Sequence, residues 1–428
     1  MCRVVAGSDC EEVSWWPGAF YYDDAEPGKH PLHAAGAYYI QEPSAMLPVT
    51  MLDVNDSGQK VLDLCAAPGG KSTQIADLMC GRGLLVSNEI IPSRASVLSE
   101  NMERMGAVNA LVLNEEPAVL AERFPAFFDR ILVDAPCSGE GMFRKNPEAA
   151  NEWSPENVEM CAKRQDMLLD VASSMLAAGG KIVYSTCTFA PSEDEGAMER
   201  FLASHPEFEV ADGPEHIYPH THKGEGHFAV SFVRSAERDL TAGAAPWAMP
   251  DRSEGTDFAV ESKNAVKADK YRGSNRKSLA PDKVQYALLC SFLEEALKPE
   301  SDMLNMIINN KDRLTKFGDS LYLAPEYMPD LNGLKVYRAG LKLGTFAKNR
   351  FEPDHALAHA LCSKDTVYAV DLDPNSREAT QYLVGMTLPC DPSIKGWCLV
   401  CVSGLPLGWG KASGGTIKNH YPKGLRIK

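Results

Sequence analysis

Val61 to Thr73 reads VLDLCAAPGGKST: a short apolar run, a glycine-rich turn, then helix-forming residues. A buried strand that feeds a helix through such a turn places backbone amides against a nucleotide-like cofactor. Three cofactor classes use this device. For a P-loop, the ending Gly70-Lys71-Ser72 fits, and RILVDAP (Arg130–Pro136) mimics the partner strand through Asp134. The first position fails, because Cys65 stands where glycine is needed, and Pro68 stiffens backbone that must curl round phosphates. For a dinucleotide, the G-x-G-x-x-G pattern is missing. For S-adenosylmethionine, the turn lets the backbone approach the methionine moiety, and an acid after the second strand holds the ribose hydroxyls. Glu89 follows Gly69 by about 20 residues, where Rossmann-like folds place that carboxylate. A turn made only for tight strand–helix packing would not need Glu89 in register.

Outward from this turn, strands alternate with helices. KVLDLC (Lys60–Cys65), GRGLLVSNEI, NALVLN, FDRILVDA and GKIVYSTC read as five strands. PSRASVLSENMERMG has proline at a helix start and glycine at its end. Asn146 to Ala178 is helical, and EGHFAVSFVR (Glu225–Arg234) is expected as a final antiparallel strand. Such alternation implies a mainly parallel sheet covered on both faces. The expected α/β organisation is an N-terminal appendage over 1–37, a Rossmann-like domain over 38–234, and a linker or long loop over 235–283. A small mixed domain over 284–345, opening with the helix VQYALLCSFLEEAL, and a last small unit over 346–428 follow. The last unit is expected to begin with a helix in NRFEPDHALAHALC.

The 428 residues are too many for one ordinary domain. Their 44% apolar and 24% charged content is that of a globular protein, without a membrane-length apolar run or a signal-peptide core. A cytoplasmic location is expected, with the twelve cysteines as free thiols. Net charge is −15, but it is uneven. Val260–Lys283 holds seven basic and three acidic residues, and Gly404–Lys428 has five basic residues and no acid. With Trp409 and Tyr421 interleaved, that tail suits nucleic acid.

Cys137 and Cys187 each stand just past a buried strand. The reducing compartment argues against a disulfide, and neither has the companion ligands zinc requires. Cys398 and Cys401 form a CxxC inside an apolar strand and read as packing. Catalysis gives the pair a purpose, since ligands of α/β sheets bind beyond the carboxyl ends of the strands. Carbon 5 of a pyrimidine is a poor nucleophile until a thiolate adds to carbon 6. One thiol to add, one acid near ring nitrogen 3 and help in release are required. Asp134 sits three residues before Cys137, and a basic neighbour such as Lys71 would favour the thiolate. From chemistry alone the two cysteines are not assigned.

The motifs YYIQEPSAM (Tyr38–Met46), LCAAPGGK (Leu64–Lys71), NEI (Asn88–Ile90), DAPCSGEGMFRK (Asp134–Lys145), YSTCTF (Tyr184–Phe189), KGEGHF (Lys223–Phe228) and LGWGK…KNHYPKGLR (Leu407–Arg426) together carry a resemblance. The chain resembles the Sun-type RNA (cytosine-5) methyltransferases, most closely the RsmF-like bacterial branch that modifies 16S ribosomal RNA. The resemblance implies S-adenosylmethionine as cofactor, held by Cys65, Ala66, Ala67, Pro68, Gly69, Gly70 and Lys71, with Glu89 on the ribose and Arg94 and Asp134 nearby. Glu116 stands where the family has aspartate near the adenine, with Glu115 or Asn114 as alternatives. The resemblance also implies Cys187 as nucleophile, Cys137 in product release, and a PUA-like RNA-binding unit at the C-terminus. RNA contacts are expected from Arg144, Lys145, Lys411, Lys418, Lys423 and Arg426, in a monomer without metal. The family usually begins with a helical segment ahead of an RNA-contacting R-V-N strand. Here the sequence starts at CRVVAG, so a short or truncated segment is expected. A non-enzymatic RNA-binding relict, a P-loop ATPase, and tRNA in place of rRNA are the alternatives.

Overall fold

The computed structural model describes residues 5, 10–22, 26–145, 147–236 and 280–427. The expected linker at 235–283 therefore falls mostly outside the described residues, as does most of the stretch before Cys10.

Seven strands build the first domain: β1 (Lys60–Asp63), β2 (Leu84–Asn88), β3 (Ala110–Leu113), β4 (Phe128–Asp134), β5 (Leu176–Thr186), β6 (Phe208–Ile217) and β7 (His227–Arg234). Helices α1 (Gly70–Leu78), α2 (Pro92–Arg104), α3 (Pro117–Arg123), α4 (Pro155–Met175) and α5 (Glu195–Ser204) connect them. β3, β2, β1, β4 and β5 run parallel in that order, and β7 and β6 follow antiparallel. The central strands are apolar throughout because both faces are covered: Leu62, Val86, Leu111, Ile131 and Ile182 are all fully buried. Local signals set the helix ends. Pro92 opens α2, Gly106 follows it at φ 70°, and the Ser154 hydroxyl accepts the Asn157 N–H at 3.2 Å to cap α4.

β8 (Leu314–Phe317), β9 (Ser320–Leu323), β10 (Val336–Ala339), β11 (Leu341–Ala347) and β12 (Arg350–Pro353) come next, after helices α6 (Lys283–Ala296) and α7 (Asp302–Asn309). Asp282 and Gln285 close α6 with a reciprocal capping box. β8, β9, β11 and β12 form a four-stranded sheet. The expected boundary at 345/346 cuts through β11, and residues 350–353 are a strand paired with it rather than the start of a helix. Only His355–His359 is helical there (α8). β10 crosses over and pairs antiparallel with β3, so the Rossmann-like sheet gains an eighth strand from the C-terminal half. The last sheet comprises β13 (Ala369–Leu372), β14 (Leu388–Pro389), β15 (Gly396–Val402), β16 (Leu405–Ser413) and β17 (Thr416–Asn419), with α9 (Arg377–Leu383) beside it.

The two C-terminal units share a core, in which Leu289, Phe292 and Leu293 of α6 meet Leu341, Leu343, Trp397 and Trp409. Leu32 and Ala35 of the N-terminal appendage pack into the last unit against Tyr382 and Leu407. Among the described residues, no helix is long and apolar enough to cross a membrane.

Candidate active site

β1 and β4 are neighbours, yet the chain leaves them toward opposite edges of the sheet, so a crevice opens between their carboxyl ends. The turn after β1 forms one wall. Gly69 takes φ 116° as it caps α1, and a Cβ there would meet Leu98 Cδ1 at 3.1 Å. Glycine alone adopts that conformation without strain. Asp63, fully buried at the end of β1, accepts the Ser72 hydroxyl at 2.6 Å through Oδ2. Its Oδ1 has no hydrogen-bond partner among the described residues, and burial pushes the carboxyl up to about 7. Past β2, Glu89 accepts the Ile91 N–H at 2.8 Å and pairs with Arg94 at 3.3 Å. Arg94 also donates to the Ala67 carbonyl at 2.8 Å, tying the acid after β2 to the turn after β1. Past β3, Glu115 is buried with the Lys335 ammonium 3.8 Å away, and Asn114 donates to the Glu89 carbonyl at 2.6 Å. Glu116 stays exposed at the start of α3.

The opposite wall belongs to β4, β5 and β7. Lys71, nearly buried, donates to Asp134 Oδ2 at 2.7 Å, and the Ser185 hydroxyl donates to Oδ1 at 2.7 Å. Burial would raise the Asp134 carboxyl, but Lys71 and His227 beside it outweigh burial and hold it well below the usual carboxylate range. Asp134 is thus ionised at neutral pH. The Cys137 and Cys187 sulfurs lie 3.3 Å apart, and the Cys187 N–H points at Cys137 Sγ at 3.4 Å. That is a contact rather than a bond, since a disulfide measures about 2.05 Å, and both thiols are free. The hydrogen bond with Cys187, together with burial, pushes the Cys137 thiol well above its ordinary pKa.

Two glutamates, Glu193 buried and Glu140 half-buried, stitch the cysteine loops together. Glu193 accepts from the Ser138 N–H at 3.1 Å and from Gln165 at 2.7 Å. Glu140 accepts the Thr188 hydroxyl at 2.8 Å and the Phe189 N–H at 2.9 Å. The Ser138 and Thr188 hydroxyls meet at 2.8 Å, and the Gly141 N–H donates to the Cys187 carbonyl at 2.9 Å. A Cβ on Gly141 would fall 2.8 Å from that carbonyl. Glu193 of the acidic turn SEDEG (Ser192–Gly196) thus ties the segment after β5 to Ser138 beside Cys137.

Residues 49–233 match the family model described as 16S rRNA methyltransferase RsmB/F. Residues 1–43, 291–361 and 369–427 match the RsmF N-terminal domain, first C-terminal domain and PUA domain in turn. Over 442 aligned residues the chain is 31% identical to ribosomal RNA small subunit methyltransferase F of Shewanella sp. (strain MR-4), covering 97% of this chain and 85% of that protein. The chain belongs to the RsmB/F methyltransferase family. The protein of the same name from Vibrio vulnificus (strain YJ016) is 32% identical, covering 96% of this chain and 85% of its own. A solved methyltransferase homologue from Pyrococcus horikoshii is 25% identical, covers 53% of this chain and 78% of its own, and has a TM-score of 0.47.

As an RsmB/F family member the chain is an S-adenosylmethionine-dependent methyltransferase with a Rossmann-like domain and a PUA-like C-terminal unit. The crevice fits that cofactor. The Gly69 turn holds a left-handed conformation that a side chain would strain, Asp63 at the end of β1 keeps a buried Oδ1 without a partner among the described residues, and Arg94 ties the carboxylate of Glu89 to the turn. Most of the expected site residues meet here: the turn Cys65–Lys71, Glu89, Arg94, Asp134, Cys137 and Cys187. Lys71, however, contacts Asp134 rather than a thiol. Among the expected RNA contacts, Arg144 is exposed but pairs with Glu225 at 3.3 Å, and Lys145 is exposed. Lys411 and Lys418 face each other across β16 and β17, exposed, as is Lys423. Arg426 is half-buried and donates to the Tyr421 carbonyl at 3.3 Å. Trp409 and Tyr421 are core residues, 2% and 6% exposed, so they offer no face to a base. Their apolar neighbours in β15 and β16 claim them. Sequence reasoning missed Ser185 and His227, which only strand register brings to Asp134.

Proposed function

We propose that this methyltransferase acts on carbon 5 of a cytosine in 16S ribosomal RNA through a covalent adduct with Cys187. The carrying observation is the pair of free sulfurs 3.3 Å apart at the carboxyl ends of β4 and β5, beside an ionised Asp134. Cys187 adds to carbon 6 and opens the ring's aromatic system, so that carbon 5 gains electron density. The thiol proton goes to ring nitrogen 3, where the Asp134 carboxylate stabilises the resulting N–H. Holding the proton on nitrogen 3, rather than supplying it, suits a carboxylate kept ionised by Lys71. When bound in the crevice, S-adenosylmethionine supplies the methyl group that carbon 5 takes. The carbon-5 proton then leaves to water, the net proton that methylation releases, and the Cys187 sulfur is expelled, taking back the proton from nitrogen 3 and restoring the ring's double bonds. Cys137, held as a thiol 3.3 Å away, donates its S–H to the departing Cys187 thiolate and so assists release. Arg144, Lys145, Lys411, Lys418 and Lys423 supply exposed positive charge for the RNA backbone.

Bisulfite sequencing tests this reading. Purified protein, S-adenosylmethionine and total RNA from a strain lacking the gene should yield one new 5-methylcytidine in 16S rRNA. A methyl group on a ribose, on a base nitrogen, or only in tRNA would overturn it.

On the cofactor side, Glu89 would hold the ribose hydroxyls, and Glu116, left exposed where Glu115 is committed to Lys335, would be the acid available to the adenine. Glu89→Ala removes charge-assisted hydrogen bonds, so S-adenosylmethionine affinity should fall by about 1.5–3 kcal/mol, roughly tenfold or more. Calorimetry that finds the affinity unchanged would remove Glu89 from the site.

A further inference from the structure

The proposed reaction leaves His227, buried at the site, without a part. His227 opens β7, is 3% exposed, and carries an Nε2 with no hydrogen-bond partner among the described residues. That nitrogen lies 3.5 Å from Asp134 Oδ1, just beyond a hydrogen bond. Strand register puts it at the chemistry. Thr186 pairs with Phe228 in the antiparallel β5–β7 ladder, so one further step along each strand brings His227 level with Cys187. A buried polar nitrogen without a partner needs a reason.

We propose that His227 is a positioning residue for methyl transfer, closing on Asp134 Oδ1 when the target base fills the crevice and keeping that carboxylate ionised and aimed at the ring. Asp134 Oδ2 is committed to Lys71 and Oδ1 to the Ser185 hydroxyl. The Asp134 side chain is 29% exposed, so an entering base strips water from an ion that then needs another donor. His227 is the group already in place. The charged groups facing it are Asp134 from β4, Lys71 from α1 and Glu42 from the N-terminal segment. Burial and Lys71 lower the pKa of the imidazole, so at neutral pH it acts as an uncharged N–H donor and adds no second cation beside Lys71. This inference rests on the proposed reaction only in naming the base; the interaction with Asp134 stands on geometry.

The test compares His227→Leu, which removes the donor, with His227→Gln, whose amide nitrogen takes the place of Nε2. The removed neighbour lowers the Asp134 pKa, so its loss must raise it. The acid limb of kcat/KM for RNA methylation should move toward neutral pH in His227→Leu, with kcat about tenfold lower and KM for S-adenosylmethionine within about twofold. His227→Gln should restore both. A merely structural role would lower activity equally at every pH, without rescue by glutamine. A readout independent of turnover is the carboxyl 13C resonance of Asp134, assigned by its loss in Asp134→Asn. It should titrate at higher pH in His227→Leu than in the wild type. An unchanged Asp134 titration overturns the inference, whichever atom of RNA is methylated. A methyl group found elsewhere than carbon 5 overturns the proposed reaction but leaves the shifted titration as evidence for His227.

Discussion

Cys187→Ala is expected to lower methyl transfer into RNA by at least about ten-thousandfold, the scale on which removal of a covalent nucleophile is felt. On the proposed reaction, carbon 5 has no other route to nucleophilicity in this site. Asp134 is an ionised carboxylate bonded to Lys71 and Ser185, and Cys137 is a thiol pushed well above its ordinary pKa. Neither replaces the missing sulfur. The substitution removes one atom from a loop whose backbone is fixed elsewhere, by the Gly141 N–H on the Cys187 carbonyl and the Phe189 N–H on Glu140. The fold and the crevice past β1 and β2 should survive, so S-adenosylmethionine affinity should stay within about twofold and the melting temperature within a few degrees. Incorporation of labelled methyl groups, with calorimetry as the control, checks this. Turnover above about one per cent of wild type would mean that Cys187 is not the nucleophile.

The part of this site legible in the sequence is the part built from local signals. The Gly69–Gly70 turn, Glu89 and the two strand-end cysteines all follow from apolar runs ending in punctuation, and β1 to β5 were legible because strands buried on both faces read as unbroken apolar segments. β6 was not. FEVADGPEHI is exposed over most of its length, contains Pro214 and pairs through bulges, as suits an edge strand. β10 was invisible for another reason: VYRA sits in the C-terminal half, and only the fold brings it to β3, where it covers an otherwise open edge. Distance along the chain also hid the environment of Asp134, since Lys71, Ser185 and His227 come from three different elements. The tail misled where composition stood in for burial. Trp409 looked like a stacking residue beside lysines, but β16 is buried on both faces from Pro406 to Gly410, and the Trp409 indole N–H donates to the Asp354 carbonyl at 2.9 Å.

The proposed covalent step is open to direct observation through Cys137. If Cys137 acts only in release, Cys137→Ala still has the Cys187 nucleophile and still forms the sulfur–carbon 6 bond. It loses the S–H that lies 3.3 Å from the departing sulfur, so the methylated adduct should persist. Incubated with 16S rRNA and S-adenosylmethionine and run on a denaturing gel, Cys137→Ala should give a slow-migrating protein–RNA band. The band should disappear in the Cys137→Ala, Cys187→Ala double variant, and Cys187→Ala alone should give none. A band from Cys187→Ala and none from Cys137→Ala would exchange the roles of the two cysteines. No band from either variant, with both equally impaired, would contradict covalent catalysis by this pair.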